Sequence, residues 1–462
     1  MLKTSSFPIQ LAIRLLLDSV SYSNALPEWV DVLVIDYNSR VKRIDRALSD
    51  YLEGAIPRRA FEIEVPKKFG TPKTWVVPSV NDQIVIQACV SSIADRIEGR
   101  CIDRTVVYSS RLNKDPRRLS FLESQVDAWT KFQSVLHARC AAGQCLLQID
   151  LKDAYERIQI PSFLKFLNEK ADSAPGAKIL THLLTTFSNG RGGIPLINDS
   201  VFFLGNAYFS LIDEILRQQK RKFVRFVDDY KIFGASVLEL ESLLPELRRE
   251  LSKLGFEIND QKLKLGTGEE YLEAISNLKY AKIPKTEYID ASVQPDVYEP
   301  KDMMEQILES LRKPGEFLHQ GFGRLQMASL RRMQVRGLFS ETVGYEESPL
   351  DDFKEIFSEN SEALDLIVER LEDYSQNSNE TWRLVWVLYL CKCLAEPFSK
   401  SQKLHSRVFD IIDRINHSAS VDRVARQWAA RGKAERVIVE NEKIEEIHTL
   451  EYLEAGRAWY GL

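Results

Sequence analysis

Residues 225–233 read RFVDDYKIF, with Asp228 and Asp229 side by side in a run that otherwise favours burial. Phe223, Val224, Phe226 and Val227 precede the pair; Tyr230, Ile232 and Phe233 follow it. Aromatic and β-branched runs broken by a two-residue polar step predict a tight β-hairpin, with both carboxylates at its tip. A surface turn alone would explain such a pair. The chain has a second one, Asp351-Asp352, just before Phe353, Ile356 and Phe357 at helical spacing. There the acids read as an N-cap and a first-turn charge. The pair at 228 has no helix to serve, so its meaning depends on whether a third carboxylate reaches it.

That third acid is predicted from residues 145–155, CLLQIDLKDAY. Leu146, Leu147 and Ile149 make a short apolar strand, and Asp150 ends it. An acid closing a buried strand is costly without a partner. A divalent cation would serve, and magnesium takes carboxylates together with substrate phosphates. Two such ions about 3.5–4 Å apart support phosphoryl transfer. Asp150 beside Asp228 and Asp229 would build that site.

The bulk composition permits this reading. A chain of 462 residues is too long for one ordinary core, and 28% charged with 44% hydrophobic residues is ordinary for globular proteins. The net charge is −5, but residues 301–462 carry 28 acidic against 22 basic residues, so residues 1–300 are close to neutral. Basic residues there cluster at Arg40–Lys73, Arg100–Arg118 and Arg217–Arg225. Solvated helix faces explain many such runs; a phosphate-binding surface is the other reading. The six cysteines include no CxxC pair and the histidines lack zinc-ligand spacing, which suits free thiols in a reducing cytoplasm. Arg14 and Asp18 interrupt the first apolar run, and no stretch of about 18 apolar residues occurs, so neither a signal peptide nor a membrane span is expected.

The ordered set of motifs resembles the reverse transcriptases. Asp150-Leu-Lys-Asp-Ala-Tyr155 is similar to their first palm motif and Phe226-Val-Asp-Asp229 to their aromatic-x-Asp-Asp motif. Gly193-Ile-Pro195, Ser200 and Leu204-Gly-Asn206 resemble the motif that meets template and nucleotide, and Leu254–Lys262 the later palm motif ending in lysine. Pro78–Gln87 and Val107-Tyr108-Ser-Ser-Arg111 resemble fingers motifs of the bacterial enzymes, so the likeness spans roughly residues 40–290.

This resemblance implies metal binding by Asp150, Asp228, Asp229 and the Leu151 carbonyl, for two Mg2+ ions or Mn2+. It makes Tyr155 a sugar gate against the ribose 2′-hydroxyl, the bland alternative being a core tyrosine. Arg111, with Lys73 as second candidate, would contact the triphosphate unless it is only a fingers residue. Pro195 and Asn206 would lie at the nucleotide. Lys262 would protonate the pyrophosphate or simply line the palm. Many relatives follow the proline with Gln-Gly; here Leu196-Ile197 stand instead, which puts ordinary template handling in doubt.

Beyond residue 300 the period turns helical, with stripes at Leu364, Ile367, Val368, Leu371; at Trp382, Val385, Trp386, Tyr389, Cys393; and at Leu404, Val408, Ile411, Ile412, Ile415. The expected fold is an α+β right-hand polymerase: fingers with N-terminal helices at 1–140, palm at 141–295, and an all-α thumb or C-terminal domain at 296–462. A palm with a helical tail resembles the bacterial enzymes of antiphage defence, of the abortive-infection and "unknown" groups. The expected function is RNA-directed or template-independent DNA synthesis from dNTPs in the cytoplasm. Its nucleic acids would be an RNA template or an associated small RNA and the DNA product. A homo-oligomer or a partner defence protein is compatible with this reading, and no membrane is. Some abortive-infection relatives prime on protein, which makes Tyr460 a candidate hydroxyl. A retron-like enzyme, an RNA polymerase on the same palm, and a non-catalytic scaffold are the alternatives. Removing the acids is expected to relieve repulsion and leave the metal-free protein no less stable.

Overall fold

The structure is a computed structural model that describes residues 7–20, 37–57, 60–65, 73–115, 120–188, 192–195, 198–273, 300–312, 349–376 and 381–417. The chain divides into two compact units. One comprises residues 1–19, 38–59 and 82–293, the other residues 20–37, 60–81 and 294–462.

Elements are numbered in chain order among the described residues. The first half contains α1 (Ile9–Val20), α2 (Tyr37–Leu52), β1 (Phe61–Val65), β2 (Lys73–Val77), α3 (Val80–Cys101) and α4 (Gln125–Ala141). Next come β3 (Cys145–Asp150), α5 (Ile160–Lys170), α6 (Pro175–Ser188), α7 (Asp199–Tyr208), α8 (Ser210–Gln218), β4 (Lys222–Phe226), β5 (Asp229–Gly234), α9 (Val237–Lys253) and β6 (Lys264–Gly266). The last described elements are helical: α10 (Pro300–Arg312), α11 (Pro349–Ser358), α12 (Ser361–Ser375), α13 (Thr381–Cys393), α14 (Ala395–Ser399) and α15 (Gln402–His417).

The first unit is organised by a four-stranded antiparallel sheet of order β4-β5-β3-β6. Directly paired residues share a face, so the register sorts the side chains. One face carries Leu146, Gln148 and Asp150 beside Phe233, Lys231 and Asp229; the other carries Leu147 and Ile149 beside Ile232 and Tyr230. At its far end the acid-bearing face is a hydrophobic core. Leu146, Val224 and Phe233 pack with Phe132, Leu136 and Cys140 of α4. Nearer the acids, Trp129 meets Phe226 edge-on at 4.9 Å between ring centroids. α9 packs on β3 and β5 with Leu240, Leu243, Leu247 and Leu251 buried. Its start is capped by side chains: Ser236 Oγ accepts from Glu239 N–H, and the Glu239 carboxylate accepts from Ala235 N–H.

The predicted hairpin is present but shifted by one residue. Its turn is Val227-Asp228; Asp229 already belongs to β5 and pairs with Phe226. Val227 takes φ +55°, unusual for a β-branched residue. Fixed hydrogen bonds hold it there: Val227 N–H donates to Ser109 Oγ at 2.5 Å, and its carbonyl accepts from Arg225 Nη1 at 3.1 Å.

In the second unit, β1 and β2 form an antiparallel pair and α10–α15 pack as helices. The three stripes expected from the sequence are buried wherever their side chains are described; the Trp382 side chain lies outside the described residues. Asp351 and Asp352 sit inside the first turn of α11, which begins at Pro349, so neither is the N-cap expected of the pair.

Candidate active site

The sheet register brings the acids together. Asp150, last residue of β3, stands directly opposite Asp229, first residue of β5. Side chains so placed lie within about 4.5–5.5 Å at Cβ. Asp228 occupies the adjoining turn, and its carbonyl accepts from Leu151 N–H at 3.3 Å, which ties Leu151 to the acid pair. The segment after α9 closes the other side. Asn259 N–H donates to the Asp150 carbonyl and Lys152 N–H to the Glu257 carbonyl, both at 2.8 Å. Asn259 Nδ2 and Lys262 Nζ then reach the Asp150 carboxylate at 3.4 and 3.1 Å.

Electrostatics follow from this crowding. Burial, with Asp150 next to it, pushes the Asp228 carboxyl up to about 6. Burial also raises Asp229, against the opposing pull of Lys231. Lys231 Nζ lies 2.8 Å from both oxygens of Asp229, and burial lowers its own proton affinity. Two of the three carboxylates therefore face lysines. Among the described residues, no three acidic, imidazole or thiol side chains converge ready-made on one point. The donor chemistry nevertheless suits a hard divalent cation. Carboxylates at one end of a sheet, two of them raised chiefly by burial, gain from added positive charge.

Tyr155 is buried beside this cluster. Its ring meets Phe202 and Phe209 edge-on at 5.8 and 5.5 Å between centroids, and burial and the Asp228 charge both push its hydroxyl upward. The ring lies against Gly205, where an added Cβ would come 2.3 Å from Tyr155 Cε1. Residues 192–195 bond back to the same loop: Ile194 N–H donates to the Tyr155 carbonyl and Gly193 N–H to the Ile158 carbonyl. Gly193 has φ +78°, and a Cβ there would stand 2.7 Å from Glu156 Cα, so glycine is required on both counts. Pro195 is buried next to this stretch.

Other expected site residues are placed differently. Arg111 is buried and commits its guanidinium to Glu123, at 2.9 and 2.5 Å, and to the Arg104 and Val107 carbonyls. These partners make Arg111 an anchor of the fingers segment. Asn206 is also buried and spent. Its Nδ2 donates to the Ser109 and Ser110 carbonyls, and its side-chain oxygen accepts from Arg225. The reason lies on the rear of the sheet, where Arg225 and Asp213 form a fully buried ion pair at 2.8 Å. Arg225 Nη2 also donates to the Asn206 carbonyl, and its backbone pairs with Val106 and Tyr108. The motif that resembles a nucleotide contact thus also stitches the fingers stretch to the hairpin that bears Asp228 and Asp229. Lys73 lies in β2 of the other unit with its side chain outside the described residues, as are Leu196, Ile197 and Tyr460 altogether. Sequence reasoning missed Lys231 and Arg225. The available signal was a charged residue at a strand position that alternation assigns to the interior.

Residues 65–287, just under half of the chain, match the family model for reverse transcriptase (RNA-dependent DNA polymerase). This match spans all three acids and makes the protein a nucleotidyltransferase of the reverse transcriptase type. It implies a palm-and-fingers polymerase fold, a class of enzyme that generally uses divalent metal ions. No curated protein matches the chain. Among the described residues no helix is long and apolar enough to cross a membrane.

Proposed function

Because residues 65–287 carry a reverse transcriptase domain, we propose that the protein is an RNA-directed or template-independent DNA polymerase whose reaction centre is Asp150, Asp228 and Asp229. The observation that carries this is the register: Asp150 opposite Asp229, with Asp228 in the adjoining turn. These three carboxylates, with the Leu151 carbonyl, would hold two Mg2+ ions, or Mn2+. Bound there, the ions would supply charge stabilisation for an attacking 3′ hydroxyl and a departing pyrophosphate. Asp150 and Asp228 would bind and orient at the end of the sheet, with Asn259 holding one oxygen of Asp150 in place. Lys262 is 60% exposed and touches Asp150, a position from which its ammonium would deliver a proton toward a leaving phosphate oxygen.

Motif order together with the helical C-terminal region supports a defence role, in which the enzyme would act in the cytoplasm on an RNA template or small RNA. Incubating the purified protein with Mg2+ and labelled dNTPs or NTPs tests the chemistry. Product from dNTPs supports DNA synthesis, product from NTPs alone supports an RNA polymerase, and no product from either supports a scaffold. Phage plating on cells with wild-type or Asp150→Asn protein tests the role; equal plating on both would remove it.

Sugar choice gives a sharper expectation. Tyr155→Ala should open space next to the reaction centre and raise NTP use relative to dNTP by at least tenfold. Truncating a buried aromatic also costs about 3–5 kcal/mol of stability. Tyr155→Phe, which keeps the ring, should retain the wild-type ratio. The ratio of incorporation efficiencies reads this directly, and an unchanged ratio in active Tyr155→Ala protein removes the gate.

A further inference from the structure

Lys231 has no place in the reaction just described, yet it is more deeply buried than any of the three acids. Its side chain is 4% exposed, and both oxygens of Asp229 lie 2.8 Å from its ammonium. β5 fixes this arrangement, since residues two apart in a strand share a face. Gln148 and Val224 flank Lys231 across the ladder, and Phe226 pairs with Asp229. An isolated buried ammonium is costly, so Lys231 depends on Asp229 for its charge partner. The converse is the informative part. The carboxylate that would take a divalent ion is already neutralised by a tethered monovalent one.

We propose that Lys231 is a resident counterion of Asp229, which a divalent ion must displace from that carboxylate, so that metal loading of the site is set by the lysine. This rests on the metal-binding reading of the acids. Asp150 meets a different kind of cation. Lys262 is mostly exposed and withdraws into solvent at little cost, whereas Lys231 is held by the strand it sits on. Asp150 and Asp228 would therefore be free to hold a metal before Asp229, whose carboxylate must first part from Lys231.

Mn2+ binding to the nucleotide-free protein, followed by electron paramagnetic resonance, tests this without any turnover. Lys231→Met keeps the length of the stem and removes the charge. Its Mn2+ affinity should rise about tenfold over wild type, because a positive charge in low dielectric beside the ion is gone. Lys231→Gln carries the same expectation should the methionine variant fold poorly. A purely structural lysine would alter thermal stability and leave Mn2+ affinity unchanged, which would overturn the proposal. Weaker binding in the variant would overturn it as well, by showing that Lys231 orients Asp229 for the ion. Asp150→Asn separates the two claims. If wild-type binding does not depend on Asp150, the metal-site reading fails and this proposal falls with it. If it does and Lys231→Met matches wild type, only the lysine proposal fails.

Discussion

Asp228→Asn should abolish nucleotide incorporation and at the same time make the metal-free protein more stable at neutral pH. Loss of activity follows from removing one carboxylate of the proposed metal site. Several kcal/mol of transition-state stabilisation is at stake, a loss of about 10³-fold or more. The gain in stability follows from the environment of Asp228. Its carboxyl is raised from 3.8 to about 6, chiefly by burial and then by Asp150. A raised folded-state value means that folding favours the protonated form. The favourable contribution is complete below about pH 4 and is lost as pH rises through 6. In metal-free wild type, stability should therefore fall across this window by on the order of 2–3 kcal/mol, while Asp228→Asn lacks that loss. Urea unfolding at pH 4.5 and 7.5 in the presence of chelator measures it. Asp229→Asn should behave in the opposite way and destabilise the protein, because it leaves Lys231 buried without its carboxylate. The simple expectation that removing any of the acids only relieves repulsion is corrected at this residue.

The second large effect lies behind the sheet. Arg225→Met should cost about 3–5 kcal/mol, the usual result of removing one partner of a buried ion pair. Asp213, fully buried in α8, would keep its charge without a counterion. The Asn206 side-chain oxygen and carbonyl and the Val227 carbonyl would lose their donors as well. Asp213→Leu alone strands Arg225 in the same way. The double variant Arg225→Met with Asp213→Leu removes both charges, so its loss should be clearly smaller than the sum of the two single losses. Urea midpoints for the four proteins test this, and additive losses would show that the two residues do not act as a pair. Activity should fall in the single variants even where they fold. Arg225 fixes the Val227 carbonyl within the turn that presents Asp228.

Several of these features were legible in the chain itself. The strand ending at Asp150, the paired acids at 228–229 and the helical stripes beyond residue 360 follow from periodicity and from the cost of placing charge in apolar runs. The one-residue shift of the hairpin was not legible, because it depends on Ser109, more than 100 positions away, capturing the Val227 N–H. The partners of Arg111 and Asn206 were not legible for a related reason. Motif spacing identifies residue types but does not say which of them are consumed by partners such as Glu123 and Arg225. Lys231 was hidden by its neighbour. A lysine next to two aspartates reads as a solvated cluster until the register shows that it points inward with Asp229.

The most direct test of the central claim is incorporation of labelled dNTP into acid-insoluble product by purified wild-type and Asp150→Asn proteins, each with Mg2+ and with chelator. Asp150→Asn keeps the size of the side chain and its place opposite Asp229, so the comparison isolates the charge. The account predicts product only from wild type with Mg2+. Equal incorporation by Asp150→Asn, or incorporation by wild type that persists in chelator, would contradict it.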